Sequence, residues 1–244
     1  MTTTRRYAST LLLGAGLLLA ALAAPASGAT DDPWEGFNRH VFAFNEFLDR
    51  GLLKPVAKGY RAVTPHFVDR GVSNFFSNLG EVPSFANHLL QGHLCDAGLD
   101  AGRFAVNSTL GIAGLFDVAS QMGIQQKTTD FGVTLARWGA GSGPYLVLPF
   151  FGPSTVRDGI GVGGDWFLEP VTYLEDDTAR WSLRTLEAVD QRANLLEAEQ
   201  LIVGDRYVFL RNLYLKRRQL LIEGGPREPD FDDGFDDEFG DEAP

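Results

Sequence analysis

The sequence is short of cysteine: Cys95 is the only one in 244 residues. A single thiol excludes an internal disulfide, so stability must come from packing or from a surrounding membrane. A bacterial lipoprotein needs a cysteine at its cleavage site, and Cys95 lies far from the N-terminal segment. We therefore expect no N-terminal acyl anchor. A thiol nucleophile needs a base oriented beside it, and the nearby His93 is not evidence of one, so we expect Cys95 to be buried.

Long hydrophobic runs are also scarce. The longest apolar stretch, residues 8–24, is shorter than the roughly 20 residues that a membrane-spanning helix needs. Arg5 and Arg6 precede it, and small residues follow, with cleavage possible after Ala26 or Gly28. This order predicts a secretory signal peptide over residues 1–28 rather than an uncleaved anchor, and it leaves Sec and Tat export both open.

Positive charge is the third deficit, since the formal net charge is -11. Most of the negative charge lies in residues 226–244, which hold nine acidic residues and one basic residue. Such a segment is typical of a disordered acidic tail. The remaining domain, residues 29–225, is too weakly charged for a general nucleic-acid binder.

Patterns for catalysis, metals and cofactors are missing as well. Residues 159–164 match G-x-G-x-x-G, but polar residues precede them where a dinucleotide site needs a strand, and Pro170 follows soon after. No G-x-S-x-G nucleophile elbow occurs. His88 and His93 are five residues apart, which would place them on different helical faces and disfavours a metal site. We predict a protein that is not an enzyme and that holds no metal or cofactor.

What the sequence does contain is helical periodicity. Asp32 is placed to cap a first helix that begins near Pro33 and stops at Gly51. One face of this helix carries a stripe of large apolar residues, which either faces a core or lies at a membrane interface. The stripe consists of Trp34, Phe37, Val41, Phe44 and Leu48.

The rest of the chain also favours helices. Pro55, Gly59 and Pro65 predict that no long regular helix forms over residues 53–65. We expect a short helix before Pro83 and another beginning at it. Longer helices are predicted at residues 96–110, 177–201 and 205–222. Only residues 145–151 have strand-like composition, and Pro149 interrupts them. The predicted class is therefore all-α, as a single domain.

One apolar segment is suited to lie at a membrane boundary or to line an apolar channel, because it has no charge and is closed by prolines. Its apolar residues are Tyr145, Leu146, Val147, Leu148, Phe150 and Phe151. Before it, Gly139, Gly141 and Gly143 form either a hinge or a tight loop that leads into a core segment. A further group of cations is a candidate for contacts with phosphate headgroups, or is simply solvated. It consists of Lys54, Lys58 and Arg61.

Six blocks of this sequence, in order, resemble the MlaA/VacJ family. They are DPWEGFNRHVFAFN from residue 32, LKPVAKGYRAVTP from 53, GVSNFFSNLGEVPSFANHLLQG from 71, NSTLGIAGLFDVA from 107, TDFGVTLARWGAGSGPYLVLPFFGPSTVRD from 129 and YLKRRQLLIEGG from 214. The resemblance covers nearly all of residues 32–225.

The resemblance implies a ring-like helical domain in the inner leaflet of the outer membrane, with an amphipathic central channel. Such proteins pass misplaced outer-leaflet phospholipids to a periplasmic carrier of the MlaC type and often associate with trimeric porins. By position, Gly139, Gly141 and Gly143 match the glycines that flank the family's mobile loop, and Phe44 and Asn45 fall in its N-terminal helix. We accordingly expect phospholipid transport at the periplasmic face of the outer membrane. The alternatives are a soluble periplasmic lipid-binding module and a non-catalytic envelope scaffold.

The sequence departs from the family at two places. Family members are typically lipoproteins, and the cysteine of their lipobox is missing here. They also place proline directly after a glutamate where this chain has Val82, with Pro83 one residue later. The first departure implies that membrane seating rests on apolar surface alone.

Overall fold

The computed structural model describes residues 32–224. The expected signal peptide and acidic tail lie outside the described residues. The helices are α1 (Glu35–Leu48), α2 (Lys54–Val63), α3 (His66–Leu90), α4 (Leu94–Thr109), α5 (Val118–Gln121), α6 (Phe131–Arg137), α7 (Val156–Trp166), α8 (Asp177–Asn194) and α9 (Arg206–Glu223). Strands β1 (Tyr145–Leu148) and β2 (Gly152–Thr155) form an antiparallel hairpin in which Tyr145 pairs with Thr155. The all-α class is confirmed, with this small hairpin as its strand content.

The first two helices form one nearly continuous rod. A π-helical turn, Asp49–Leu53, joins α1 to α2, and the backbone N–H of Lys54 donates to the carbonyl of Asp49 five residues earlier. Pro55 lies in the first turn of α2, directly after this π-helical turn. The predicted stop at Gly51 was therefore wrong, and Pro55 and Gly59, which were expected to prevent a long regular helix over residues 53–65, lie inside α2.

Helix α3 is a single helix of 25 residues with Pro83 inside it. The prediction of two short helices separated at Pro83 was wrong. Proline lacks the N–H that would bond the carbonyl four residues earlier, which usually breaks a helix. Here α3 packs along α4 in the largest helix–helix contact of the described chain, and this packing outweighs the local preference.

The glycines of the G-x-G-x-x-G pattern lie inside α7 and bring it close to α6. A Cβ atom on Gly161 would lie 2.5 Å from the backbone nitrogen of Gly132, and one on Gly164 would lie 2.6 Å from the ring of Phe131. Larger residues would push the two helices apart. These glycines are therefore packing residues, and they do not form a dinucleotide turn.

The last two long helices begin where the sequence predicted. Asp176 accepts hydrogen bonds from the first turn of α8, and Asp205 does the same for α9. Helix α8 ends at Asn194, earlier than the predicted residue 201, and a short 3-10 turn, Ala198–Leu201, follows. Gly224 ends α9 in the left-handed conformation.

Apolar packing is concentrated where the hairpin meets α1 and α9. Tyr145, Val147 and Tyr207 are buried there, and Val41 and Phe42 pack against them. Elsewhere in the described chain, buried polar and charged residues outnumber buried apolar ones. This distribution is the reverse of the usual one, in which charged side chains are almost never fully buried unless they are paired.

Helix α1 shows the reversal most clearly. Its fully buried residue is Asn38, whereas Phe37 and Phe44 of the predicted stripe are exposed. The stripe was predicted either to face a core or to lie at a membrane interface. Phe37 and Phe44 do not face the core of the described chain. The helix begins at Glu35, and the carboxylate of Asp32 accepts a hydrogen bond from the backbone of Trp34 instead of capping in the predicted register.

Candidate functional site

The hairpin is attached to α1 by two asparagine amides. Asn38 donates to the carbonyl of Tyr145 (3.0 Å) and accepts from the N–H of Val147 (2.9 Å). Asn45 makes the same pair of bonds to the carbonyl of Leu148 (2.9 Å) and the N–H of Phe150 (2.9 Å). The two asparagines are seven residues apart, two helical turns, so they lie on one face of α1. Together they occupy the open edge of β1 as a neighbouring strand would.

The turn of the hairpin presents aromatic rings outward. Phe150 and Phe151 are exposed, and Phe44 of α1 packs edge-on against Phe150 with ring centroids 5.7 Å apart. Phe150 has a φ of +68°, a conformation that costs a bulky residue free energy. The bond from its N–H to Asn45 holds it there. The predicted apolar segment is thus divided: Tyr145 and Val147 are buried, Leu146 and Leu148 are half-buried, and the two phenylalanines are outside.

The glycine-rich segment joins α6 to the hairpin. Gly139 has a φ of +91°, and its N–H donates to the carbonyl of Ala136, which is how a glycine ends a helix. Gly143 also has positive φ, +63°, directly before the hairpin. In this conformation the segment is a tight connection that leads into the buried strand, and the hinge role of Gly139, Gly141 and Gly143 stays a prediction.

A half-enclosed cavity of about 250 Å³ lies beside the hairpin. One part of its wall is apolar and the other is charged. The apolar residues are Leu148, Phe151, Pro153 and Val162, and the polar ones are Asp130, Ser154, Asp158, Asp165, Tyr214 and Arg218.

The charges of this hairpin cavity are only partly balanced. Arg218 donates to Asp130 (3.0 Å) and Asp158 (2.9 Å), and Arg157 donates to Asp158 (3.0 Å). Burial would raise the pKa of Asp158, but the two guanidinium groups outweigh burial and hold this pKa below its ordinary value. Asp165 differs, because no Lys, Arg or His of the described residues pairs with it. Burial raises the pKa of Asp165 to about 6.

A larger, open trough of about 640 Å³ follows one face of α8. Its lining mixes Trp181, Leu186 and Val189 with hydroxyl groups and an acid, so it is amphipathic along its length. The polar lining residues are Asp177, Thr178, Ser182 and Thr185. Thr178, Ser182 and Thr185 are four and three residues apart, which places these three hydroxyl groups on one side of the helix.

The three cations that were candidates for headgroup contacts lie in different surroundings. Lys54 donates to Glu199 (2.9 Å), and Arg61 donates to Glu197 (2.7 Å), so both are engaged in ion pairs. Lys58 is exposed and has no acidic partner among the described residues. The headgroup role of Lys54, Lys58 and Arg61 stays a prediction.

The histidines and the cysteine correct two expectations. The rings of His88 and His93 stack with centroids 6.2 Å apart, because the turn between α3 and α4 brings them together, so they are not on different faces. Nδ1 of His88 lies 2.6 Å from the carboxylate of Asp100. Cys95 is exposed, not buried, because it lies on the outer side of α4. Within residues 32–224, no group of three or more His, Cys, Asp or Glu residues could hold a metal ion.

Sequence reasoning missed the polar residues that shape these cavities. Asp158 and Asp165 are two turns apart in α7, but Asp130 and Arg218 are far from each other and from α7's acids in the chain, and nothing local marks all four as neighbours. Asn38 did leave a signal, because it lies two helical turns before Asn45. Two amides on the inward face of an aromatic-rich helix predict bonds to a buried backbone edge.

Comparison with known proteins agrees with this fold. The family model described as MlaA lipoprotein matches residues 30–221. The protein named intermembrane phospholipid transport system lipoprotein MlaA from Escherichia coli (strain K12) is 36% identical over 234 residues, which cover 91% of this chain and 90% of that protein. The protein of the same name from Haemophilus influenzae is 31% identical over 215 residues, 80% of each chain.

A solved structure is similar as well. It is described as "Structural basis for maintenance of bacterial outer membrane lipid asymmetry". It superposes with a TM-score of 0.69 at 35% identity and covers 79% of this chain and 99% of that one.

Proposed function

This chain belongs to the MlaA lipoprotein family, and from that premise we propose that it moves phospholipids in an intermembrane transport system that maintains outer-membrane lipid asymmetry. Relatives that cover nine-tenths of the chain carry the name of such a system. Transport by passage needs no covalent chemistry, so we assign the protein no catalytic role. The same proposal locates it at the outer membrane.

The observation that carries the proposal is the reversed distribution of side chains. Glu81 and Arg103 are buried, whereas Phe47 and Phe67 are about three-quarters exposed. Exposed apolar surface on this scale marks contact with lipid or another protein. A polar interior and the amphipathic trough of α8 suit a molecule that is itself amphipathic, because headgroup and acyl chain each meet matching groups.

We assign membrane seating to the exposed aromatic and aliphatic side chains. Within residues 32–224, no helix combines the length and the apolar character needed to cross a bilayer. The relatives are named lipoproteins, whereas the single cysteine of this sequence, Cys95, lies in α4. Burying apolar surface in lipid contributes roughly 25 cal/mol per Å² to the free energy of membrane binding. Several exposed aromatic rings together therefore hold the protein on the membrane.

The proposed route runs from the outer leaflet through an amphipathic channel to a periplasmic carrier of the MlaC type. A ring-like seat in the inner leaflet and association with a trimeric porin complete the proposal. Because Gly139 and Gly143 have positive φ beside the hairpin, that segment is a candidate gate for the route.

The decisive experiment combines cell fractionation with mass spectrometry of lipids that co-purify with the full chain. We expect the protein in the outer-membrane fraction, released only by detergent, with phospholipid bound. Recovery in the soluble periplasm with lipid would favour the alternative of a soluble lipid-binding module. Recovery in the membrane without lipid would favour a scaffold that holds partner proteins.

A second experiment tests the gate. The Gly141→Ala variant stiffens the segment at a position of ordinary φ, and Gly36→Ala is its control because a Cβ atom there meets no neighbour. We expect the first variant alone to raise outer-leaflet phospholipid. Unchanged outer-leaflet phospholipid in Gly141→Ala cells would remove the gate role and leave the transport function standing.

A further inference from the structure

The hairpin cavity contains two polar groups without a matching partner. Its remaining charges pair off, since Asp130 and Asp158 are bonded by Arg218 and Arg157. Asp165 accepts hydrogen bonds from the N–H of Phe131 (3.0 Å) and the amide of Asn87 (2.8 Å). Those donors are neutral, so its negative charge has no counter-ion among the described residues.

The second unmatched group is on Arg218. Its two Nη atoms donate to carboxylates, but its Nε atom is buried and has no hydrogen-bond partner among the described residues. A buried donor without a partner costs free energy that an incoming acceptor would recover. The residues that line the cavity therefore include one with an unused buried donor, Arg218, and one carboxylate without a counter-ion, Asp165.

These two groups complement a zwitterion. We infer that the hairpin cavity binds the phosphate-ammonium headgroup of a zwitterionic phospholipid, with the phosphate near Arg218 and the ammonium near Asp165. The inference rests on the proposed transport function and extends it to a headgroup preference. Lipids whose headgroups carry negative charge alone are disfavoured, because the carboxylates of Asp130, Asp158 and Asp165 outnumber the guanidinium groups of Arg157 and Arg218 and leave one negative charge unbalanced.

The shape of the cavity supports the same ligand. The apolar residues Leu148, Phe151 and Val162 share its lining with the charged groups, and Phe151 is itself 62% exposed. If the headgroup binds among the charged residues, the acyl chains of the same lipid would therefore lie beside the exposed turn of the hairpin. The volume of about 250 Å³ is of the size of a headgroup and smaller than a whole lipid.

A second observation, its pKa, agrees with the absence of a counter-ion for Asp165. Burial raises its pKa to about 6, and the negative charges of Asp130 and Glu169 contribute to the rise. An ammonium group at bonding distance would lower this pKa. The bound lipid would thus supply the charge that the protein itself omits.

The test measures binding of short-chain lipids to the purified full chain in detergent by calorimetry. We expect dihexanoyl phosphatidylethanolamine to bind at least tenfold more tightly than dihexanoyl phosphatidylglycerol. Val162→Trp fills the cavity from its rim and should weaken binding of the first lipid about tenfold. Leu213→Trp is the matched control, since Leu213 is an exposed apolar residue of α9 that does not itself line the cavity.

Further arms identify the source of the selectivity. Asp165→Asn should abolish the preference between the two lipids. Glycerophosphoethanolamine should compete with the short-chain lipid, and inorganic phosphate should not. Equal binding of both lipids, unaltered binding in Val162→Trp, an unaltered preference in Asp165→Asn, or competition by phosphate alone would overturn the headgroup inference. Failure to bind either lipid would instead count against the proposed function.

Discussion

The space between α3 and α4 and the outer face of α1 contrast in their chemistry. Between the two helices, Arg103 donates to Glu81 (2.7 Å), and both are almost fully buried. On the outer face of α1, Phe37 and Phe47 are exposed. A protein that folds in water gains free energy by burying apolar groups, and this chain leaves many of its largest ones outside.

The contrast indicates two different sources of stability. The interior is specified by directional bonds, because each buried polar group needs a partner of the right geometry. The exterior is specified only by its apolar character, since lipid contacts are not directional. Substitutions inside should therefore change the free energy of unfolding strongly, and substitutions outside should change membrane contact instead.

The largest effect is expected from Arg103→Ala. Arg103 donates to Glu81, Asp117 and Ser120, so its loss leaves two carboxylates without a cation. Removing one partner of a buried ion pair costs about 3–5 kcal/mol of unfolding free energy. Denaturant unfolding in detergent measures it, with Lys58→Ala as the control at an exposed position. A loss below about 1 kcal/mol would contradict the idea that buried charges specify the interior.

A smaller effect is expected where α7 approaches α6. Gly161→Ala places a Cβ atom 2.5 Å from the backbone of Gly132, so we expect a loss of about 1–3 kcal/mol. Gly163→Ala is the control in the same helix, because its Cβ atom meets nothing within 4 Å. It should raise stability by about 0.5–1 kcal/mol, since alanine favours helix. Thermal unfolding measures both changes. A lower melting temperature for Gly161→Ala and a higher one for Gly163→Ala would confirm the close contact between α6 and α7.

Titration of Asp165 should have a smaller, pH-dependent effect. Its pKa in the folded protein is raised to about 6 from 3.8, so the folded state disfavours its charged form. The protonated form of Asp165 contributes to the free energy of unfolding, and this contribution is lost as pH rises from about 4 towards 6. Asp165→Asn should remove this pH dependence in denaturant unfolding. Asp96→Asn is a control of opposite sign. The hydrogen bond from Lys127 lowers the pKa of Asp96, so its contribution is lost as pH falls.

Much of the secondary structure was predictable because its causes are local. Asp176 and Asp205 cap α8 and α9 through side chains that any reader of the sequence can place. The prolines were misread for the opposite reason. Pro83 disfavours a helix locally, and only the packing of α3 against α4, which no local pattern shows, overrides it.

The orientation of α1 was undecidable for a different reason. An apolar stripe has the same spacing whether it faces a protein core or lipid, so Phe37 and Phe44 carry no sign of which one they contact. The hairpin cavity was out of reach as well. Asp130, Asp158, Asp165 and Arg218 meet only because α6, α7 and α9 pack around the hairpin.

The smallest effect on stability is expected at the exterior. Phe47 and Phe67 are 73% and 76% exposed, so Phe47→Ser and Phe67→Ser should change the unfolding free energy in detergent by less than about 0.5 kcal/mol. Each should nevertheless weaken vesicle binding, because a buried phenylalanine ring is worth about 2 kcal/mol in an apolar medium. Flotation of the purified chain with phospholipid vesicles measures this loss. A variant that unfolds easily but floats as before would place that ring in a protein core, and the proposed division between interior and exterior would fail there.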